Sequence, residues 1–478
     1  MLGLIYLLTA KGHIEIVDTE YSIRTALSIV ENGSLLIEPT DSNAVQNFPQ
    51  PTIQGKNYSP YGIGLSLIFI PFVLFSKILV WLTGIDLRIL LDFILSFYNI
   101  PFAILGLYFF QKITLQLGAS KTKSIYMTVC LAIGTCYWKY TVSDFSEISQ
   151  SCLIMGVIYT ILKRSKNMWL NLSFYYSCLV LIKLTYFIYL PFLLVYFFHE
   201  NMRENGKEIR NNLCKASIYF APACSFIALI NFSRFDSIFE SGYGGVIKFS
   251  FDFFTRDWLG YLCSYERGIL TFNPILLLSL TGLFCIPLKF KNSMKIMGLT
   301  ALIWYFTMCF WVSWQGGYCW GNRLLTPIVP LLLLPLVFLN FSTLLSKILL
   351  ALTLIGSMVI QFAASFTKIH EIIEIKLSIQ ELTEQVPLSQ LWRGIELFFL
   401  KIKSPNAEYL ASNFGVDVNE VINLKSFETF HGFNLWIVHL LNYFDLKKFS
   451  HPAGIVILFI IITLCFTLMR VHKINIQK

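Results

Sequence analysis

The sequence predicts an all-α polytopic membrane protein, a bundle of about 11–12 transmembrane helices, and three observations support this fold class. The 478 residues are 55% hydrophobic and only 14% charged, with a mean hydropathy of +0.63, whereas about a quarter of the residues in a soluble domain are charged. Apolar runs of spanning length recur along the chain. The basic surplus, a net charge of +9, falls in short clusters between these runs, which is typical of membrane topology rather than of a nucleic-acid-binding face.

Nine segments approach or exceed the ~20 apolar residues that cross a bilayer. They lie at 88–111, 124–143, 147–162, 212–231, 269–288, 295–313, 323–340, 346–364 and 452–469. The run 169–198 is too long for one ordinary helix and predicts two short helices that meet near Lys183. Residues 1–10 are too few to span, so either the first helix is short or the true start lies upstream of residue 1.

The segment 63–83 is ambiguous, and charge decides its placement. If it does not cross, the lysine-rich short loops all fall on the cytoplasmic side together with the N-terminus, as positive residues in short loops usually do. We therefore expect 63–83 outside the membrane, as a juxtamembrane or re-entrant element. This topology predicts a membrane module 1–364 with a first outer loop 11–62, a small outer-face segment 365–451, and a last transmembrane helix with a cytoplasmic tail at 452–478.

The stretch KGHIEIVDTEYSIRTALSIVENGSL, residues 11–35, places Asp18 and Glu20 in the first outer loop of a chain that otherwise avoids acids. From 18 to 33 the apolar spacing predicts an amphipathic helix on the membrane surface. A carboxylate at its start can cap free backbone N–H groups. The alternative is a general base or metal ligand at the water–membrane boundary. Spacing alone leaves both interpretations open.

Four stretches, taken in order, carry a resemblance to a known family. Asp18 follows the first apolar segment and precedes a Tyr-x-x-x-x-Ala helix. Three later stretches carry Tyr-x-x-Tyr-Gly, Arg-Gly with Asn-Pro, and Trp-x-Gly-Gly with Gly-x-Arg; they are GKNYSPYGIGLSLIFIPFVLF (55–75), SYERGILTFNPILLLSLTGL (264–283) and WQGGYCWGNRLLTPIVPLLLLPL (314–336). Over most of the first 340 residues they resemble the GT-C glycosyltransferases, which include the protein O-mannosyltransferases and the lipid A aminoarabinose transferases.

The resemblance implies a GT-C-type bundle with juxtamembrane helices on the outer face of a bacterial plasma membrane. It implies inverting transfer of a sugar from a polyprenyl-phosphate donor to a glycan, lipid or protein acceptor on that face, with no nucleic acid as partner. Asp18 would be the general base. Family members commonly have an Asp-Glu pair there, whereas this chain has Asp18, Thr19 and Glu20. Either Thr19 replaces the second acid or Glu20 takes part of its role.

Three further residues would complete the chemistry. Glu147 would position the acceptor or a metal, with a simple helix-start carboxylate as the alternative. Lys183 interrupts an apolar run, where a cation is costly unless it snorkels or faces a polar cavity. Arg323 suits bidentate phosphate binding, with simple anchoring at the membrane interface as the alternative. Both cations would hold the donor phosphate. The donor is a substrate, no resident cofactor is expected, and a divalent metal could take part.

Weaker candidates are two phosphate contacts, Arg267 and Lys56, and three lining residues, Tyr58, Tyr61 and Asp144. Local ion pairing would explain the arginine equally well, and interface anchoring of aromatic rings would explain the tyrosines. Most of the eleven cysteines lie in apolar runs, but Cys263 and Cys319 fall in expected loops and could pair.

Other functions remain open at this point. A transporter or flippase of lipid-linked sugars would also explain polar residues inside apolar runs. Transporters usually show repeated halves with broken helices at the midplane, and no such repeat is visible in the sequence. An O-antigen ligase or polymerase would call for larger outer loops rich in His and Arg.

Overall fold

Helices build almost the whole of the part of this chain that the structure describes. A computed structural model describes residues 1–37, 52–53, 56–202, 204–240, 249–317, 319–369, 371, 390–404, 409, 413 and 432–473. The α-helices are α1 (Leu2–Thr9), α2 (Val17–Asn32), α3 (Ile63–Thr83), α4 (Leu87–Leu95), α5 (Asn99–Gln116), α6 (Lys121–Gly134), α7 (Tyr137–Thr141), α8 (Glu147–Lys163), α9 (Met168–Ile182), α10 (Leu190–Asn201), α11 (Gly206–Phe235), α12 (Phe251–Cys263), α13 (Ile269–Phe272), α14 (Ile275–Thr281), α15 (Lys291–Cys309), α16 (Val329–Leu333), α17 (Leu344–Phe366), α18 (Gln390–Lys403), α19 (Trp436–Tyr443) and α20 (Lys447–Lys473).

Short irregular elements join some of these helices. The 3₁₀ segments are Leu184–Tyr189, Gly282–Cys285, Leu288–Phe290, Arg323–Ile328 and Leu334–Phe338. Among the described residues the strands form one antiparallel pair of two residues each, β1 (Thr52–Ile53) with β2 (Lys56–Asn57). The predicted all-α membrane fold is confirmed.

Five of the described helical segments are long and apolar enough to cross a membrane. They are α3, the α4–α5 pair (Leu87–Gln116), α11, α17 and the Lys447–Met469 part of α20. The segments Ile275–Cys285 and Leu288–Cys309, which bend by 110° at their break, would add a sixth. This is fewer than the about 11–12 spans expected from the sequence.

The shortfall arises because several expected spans are interrupted. The segment 323–340 is 3₁₀, α-helical and 3₁₀ in turn, with three prolines along it, and a proline lacks the N–H that a helix needs. Irregular backbone is tolerated in a membrane protein only where the protein itself satisfies it. The expected spans 124–143 and 269–288 are interrupted as well. There Asn273 Oδ1 accepts from the Cys136 backbone N–H at 2.5 Å, and Gln361 Nε2 donates to the Phe272 carbonyl at 2.9 Å.

Glycines let several neighbouring helices approach one another closely. Helix α8 packs against α5 and α9, and α9 packs against α11. A Cβ at Gly106 in α5 would overlap the Tyr137 hydroxyl oxygen in α7. A Cβ at Gly62, just before α3, would lie 2.5 Å from the Ile182 carbonyl oxygen at the end of α9. Small residues therefore bring the start of α3 against the end of α9.

The long apolar run 169–198 breaks at Lys183, and this prediction is confirmed. Helix α9 ends at Ile182, and Lys183 is extended with φ −147° and ψ 113°. A 3₁₀ segment and α10 then continue the chain. The break puts a lysine at a point where the backbone leaves the helix.

Helix α3 covers 63–83 without interruption, so a re-entrant form with a turn inside this segment does not occur. It runs beside α2 in the same direction. Tyr61 Oη, just before α3, donates to Asp18 near the start of α2 at 2.7 Å, and Lys77 pairs with Glu31 near the end of α2 at 2.8 Å. Its length and composition would also allow α3 to cross. Its placement outside the membrane stays a prediction.

The expected outer-face segment 365–451 contains α18 and α19 in its described part. Its predicted start falls inside the last turn of α17. It packs on the rest of the bundle, since α18 contacts α17, and α19 contacts α1 and α20. The division into 1–364, 365–451 and 452–478 stays a prediction.

Candidate active site

A cavity of about 780 Å³ lies where six segments of the chain meet. These are the start of α2, the loop before α3, the start of α8, the break at Lys183, residues 239, 240 and 249 between α11 and α12, and the loop that ends at Arg323. The charged and hydroxyl-bearing lining residues are Glu15, Asp18, Thr19, Ser22, Tyr61, Ser146, Glu147, Lys183, Thr185, Glu240, Ser313 and Arg323. Five of the ten site residues predicted from the sequence therefore line one cavity: Asp18, Tyr61, Glu147, Lys183 and Arg323.

Asp18 is a fixed carboxylate that faces this cavity. It lies in the first turn of α2, which starts after extended Ile16 and ends at Gly33 in the left-handed conformation. Its Oδ1 accepts from Tyr61 Oη at 2.7 Å, and its Oδ2 accepts from Arg323 Nη2 at 2.9 Å. The side chain nevertheless keeps 30% exposure. A ligand in the cavity can therefore reach a carboxylate whose direction is already set.

Arg323 lies between two carboxylates. Its guanidinium carbon is 4.4 Å from the centroid of the Phe145 ring, and its Nε lies 3.9 Å from Glu147 Oε1. That Nε makes no hydrogen bond to a described residue. A guanidinium has five N–H donors in a planar fork, so Arg323 can hold Asp18 and still donate to a second oxyanion such as phosphate.

Glu147 is the first residue of α8, where a carboxylate is stabilised by the helix N-terminus. Its side chain is only 4% exposed. Its Oε2 is buried and finds no hydrogen-bond partner in the described part of the chain. An unpartnered buried carboxylate oxygen is costly, so this atom offers an acceptor position to a hydroxyl group in the cavity.

Lys183 presents a cation to the same cavity. Its Nζ lies 5.6 Å from the centroid of the Trp304 ring, a cation–π distance. Within the described residues its ammonium forms no ion pair or hydrogen bond. An ammonium at the end of an apolar helix without an anionic partner is well placed to take one from a ligand.

Solved structures with a similar fold are known. ArnT from Cupriavidus metallidurans bound to undecaprenyl phosphate aligns with 97% of this chain and 74% of its own chain, at a TM-score of 0.50 and 11% sequence identity. The chain has the GT-C fold. ArnT in the apo state aligns over the same shares at a TM-score of 0.44 and 9% identity. No family model matches the sequence, and no curated protein matches it significantly.

In this GT-C fold Asp144 does not line the cavity, contrary to the expectation from the sequence. It binds the backbone just before α2 instead. Its Oδ2 accepts from the backbone N–H groups of Glu15 at 3.1 Å and Ile16 at 2.8 Å. Thr19 Oγ1 donates to the Asp144 carbonyl at 2.5 Å. Burial raises the pKa of the Asp144 carboxyl, with Lys11 opposing this effect. Asp144 thus fixes the turn that leads into α2.

Glu20 does not take the place of the second acid at the cavity, which corrects the sequence-based expectation. Its carboxylate is bound by Arg24 Nε at 2.6 Å and by the Arg88 guanidinium. Burial alone would raise the pKa of Glu20, but Arg88 and Arg24 together hold it below its ordinary value. Two residues along an α-helix correspond to a rotation of about 200°, so Glu20 points away from the side that Asp18 faces.

Arg267 binds backbone carbonyls rather than an anion in the cavity. Its guanidinium donates to the carbonyl oxygens of Gly317 at 3.2 Å and Gly321 at 3.4 Å, and to that of Cys319. The expectation of a phosphate contact is therefore not met. Arg267 instead shapes the loop that ends at Arg323.

Of the remaining candidates, Tyr58 is not among the residues that line the cavity. The Tyr58 ring is buried and lies 6.3 Å from the Phe235 ring. The side chain of Lys56 lies outside the described residues. All eleven cysteines are free, so Cys263 and Cys319 do not pair.

Arg234 holds the loop beside the cavity and was not predicted from the sequence. Arg234, buried near the end of α11, donates to the carbonyls of Ser59 at 2.9 Å and Tyr61 at 3.0 Å. It fixes the loop from which Tyr61 reaches Asp18. A lone arginine at the end of an apolar helix resembles an interface anchor, and nothing local indicates partners that lie far away in the sequence.

Proposed function

We propose that this protein is a membrane glycosyltransferase that moves a sugar from a polyprenyl-phosphate donor to an acceptor at the outer face of a bacterial plasma membrane. The observation that carries the proposal is a single cavity that combines the fixed carboxylate of Asp18 with the cations of Lys183 and Arg323. Such a transfer needs a base for the acceptor and cations for the phosphate. The GT-C fold, and the undecaprenyl phosphate bound to ArnT, support this class of donor.

Lys183 and Arg323 would hold the donor phosphate. Lys183 has no anionic partner among the described residues, and a phosphate oxygen would supply one. Arg323 has N–H groups to offer beyond the one that binds Asp18. As the bond between sugar and phosphate breaks, negative charge grows on the phosphate. Two preorganised cations stabilise that charge in the transition state more than in the ground state.

Asp18 would accept the proton of the acceptor hydroxyl as that oxygen attacks the sugar. Tyr61 and Arg323 each bind one of its oxygens, and a carboxylate has lone pairs left for a third donor. Holding the base in one direction lowers the entropic cost of the attack. We expect attack from the side opposite the phosphate, and therefore inversion at the anomeric carbon.

Glu147 would orient the acceptor. Its buried Oε2 has no partner among the described residues, so a second hydroxyl of the acceptor could donate to it. A divalent metal is less well supported, because no group of three or more metal-ligating side chains occurs among the described residues. The proposed steps use no metal, and addition of EDTA tests whether transfer needs one.

The proposal is tested by the ligand that every donor of this class shares. Purified protein in nanodiscs should bind undecaprenyl phosphate at least about tenfold more tightly than undecaprenol, which lacks the phosphate. This preference should fall in Arg323→Gln. Incubation with a pool of undecaprenyl-phosphate sugars and membrane extract should release undecaprenyl phosphate. Equal binding of the two lipids would contradict the proposal. Movement of the donor from one leaflet of a vesicle to the other, without release of undecaprenyl phosphate, would also contradict it and would indicate a transporter.

A further inference from the structure

We infer that Gln390 and Asn434, two buried amides of the expected outer-face segment, are positioning residues. They hold two loops, the one that ends at Arg323 and the one that leads to Asp18. The catalytic meaning of this inference rests on the proposed function. The two loops are far apart in the sequence, yet the ion pair between Asp18 and Arg323 requires both at one place. The outer-face segment would then be an integral part of the active site rather than a cap.

Gln390 holds the loop that ends at Arg323. It is the first residue of α18 and is 3% exposed. Its Oε1 accepts from the Gly321 backbone N–H at 3.0 Å, and its Nε2 donates to the Cys319 carbonyl at 2.8 Å. Only one orientation of the amide satisfies both bonds. Gly321 has φ +57°, a conformation that glycine adopts without strain, so the loop turns sharply just before Arg323 while Gln390 binds both sides of the turn.

Asn434 holds the loop that leads to Asp18. It is fully buried, its Nδ2 donates to Glu15 Oε1 at 2.8 Å, and its Oδ1 faces His439 Nε2 at 3.0 Å. Glu15 lies three residues before Asp18, at the turn that Asp144 also binds. The amide thus ties the outer-face segment to the turn just before α2.

Backbone and charge contacts strengthen the same connection. The Trp436 backbone N–H donates to the Ala10 carbonyl, and its Nε1 donates to the Leu7 carbonyl, both at 2.9 Å. Burial opposes ionisation of Glu15, yet Lys11 and His13 hold its pKa well below the ordinary value. Asn434 therefore binds a carboxylate, and a hydrogen bond to a charged group is stronger than one between neutral groups.

The two amides should affect different kinetic parameters, because they hold residues with different roles. Gln390→Met keeps the side-chain length but removes both bonds near Arg323, so we expect the KM for the donor to rise about tenfold with a smaller change in kcat. Asn434→Leu keeps the shape but releases Glu15, so we expect kcat to fall about tenfold with little change in donor KM. If Gln390→Met does not fold, Gln390→Asn, whose shorter side chain cannot reach both partners, replaces it with the same expected outcome.

Asn442→Leu is the matched control. Asn442 lies on α19 in the same segment, and its Oδ1 accepts from Ser450 Oγ at 2.5 Å; neither residue is among those lining the cavity. Its kinetics should stay within about twofold of the wild type. A rise in donor KM together with a fall in kcat in both variants, or an equal change in Asn442→Leu, would indicate general destabilisation and overturn the inference.

Amide hydrogen exchange separates this inference from the proposed function, because it needs no substrate. The Gly321 N–H should exchange faster in Gln390→Met, and the N–H groups of Glu15 and Ile16 should exchange faster in Asn434→Leu. If the wild type transfers no sugar but exchange accelerates as described, the proposed function fails and the positional inference stands. If the wild type transfers sugar while neither exchange nor kinetics change in the variants, the inference is overturned.

Discussion

Asp18 and Glu20 are two residues apart on α2, yet they have opposite surroundings. Asp18 lines the cavity, keeps 30% exposure and shares Arg323 with Glu147. Glu20 is 14% exposed and is bound by Arg24 and by Arg88. One carboxylate is thus available to a ligand, whereas the other is already neutralised by the protein itself.

The comparison teaches that helix phase, more than closeness in sequence, decides which acid can take part in chemistry. A separation of two residues turns a side chain about 200° around an α-helix. The side of α2 that faces the cavity meets Tyr61 and Arg323. The opposite side meets Arg88 of α4, which pairs with Glu20, and Lys77 of α3, which pairs with Glu31. These two ion pairs attach α2 to its neighbours. We call these the cavity side and the packing side, and the following variants compare them.

The largest difference should appear between two lysines. Lys183→Met removes the cavity cation that has no anionic partner among the described residues, so affinity for undecaprenyl phosphate should fall roughly 10- to 100-fold. Lys77→Met on the packing side removes a surface ion pair with Glu31, in which the lysine is 37% exposed, and should change this affinity less than about twofold. Binding measured on both proteins in nanodiscs checks this. Equal losses in the two variants would remove the distinction between the sides.

A smaller difference is expected between two tyrosines of the loop before α3. Tyr61→Phe removes the 2.7 Å hydrogen bond to Asp18, so the carboxylate loses one of its two fixing contacts and kcat should fall up to about tenfold. Tyr58→Phe removes a hydroxyl but keeps the ring that packs on Phe235, and it should leave kcat within about twofold. Steady-state kinetics at saturating donor compare the two. A larger loss in Tyr58→Phe would show that the loop matters only for packing.

The smallest effect on transfer is expected from Glu20→Gln, which should change stability instead. Because the arginines hold the folded pKa of Glu20 below its ordinary value of 4.5 despite burial, its stabilisation is present above pH 4.5 and is lost as the pH falls through the lowered pKa. At pH 7 the variant should melt about 1–2 °C below the wild type, and the gap should close in acid. Transfer should stay within about twofold; a loss of transfer at an unchanged melting temperature would contradict this role.

The membrane class and the helical fold could be predicted from the sequence, because composition, helix periodicity and charge placement are local properties. Of the five cavity residues, Lys183 stood out as a cation in an apolar run, whereas Asp18, Tyr61, Glu147 and Arg323 were indicated by the resemblance to the GT-C glycosyltransferases. The break at Lys183 was also predictable, since a cation rarely sits inside an apolar helix without a polar neighbour. The number of spans was not, because an interrupted helix is tolerated only where a distant residue such as Asn273 satisfies the open backbone.

The supporting residues could not be predicted from the sequence for a related reason. Gln390 and Asn434 bind partners 69 and 419 residues away, so no spacing rule connects them to the site. The orientation of Glu20 depends on Arg88, which lies 68 residues further along the chain. The resemblance placed two acids at the site, and only the tertiary contacts show that one of them is committed elsewhere.

The central claim is that the cavity side of α2 supplies the base, and Asp18→Asn tests it most directly. The substitution keeps the shape but removes the proton acceptor, so the single-turnover rate of sugar transfer should fall about 10²- to 10⁴-fold. Affinity for undecaprenyl phosphate, measured on the same preparation, should stay equal or increase, because the neutral amide releases Arg323. Full retention of transfer in Asp18→Asn would contradict the account.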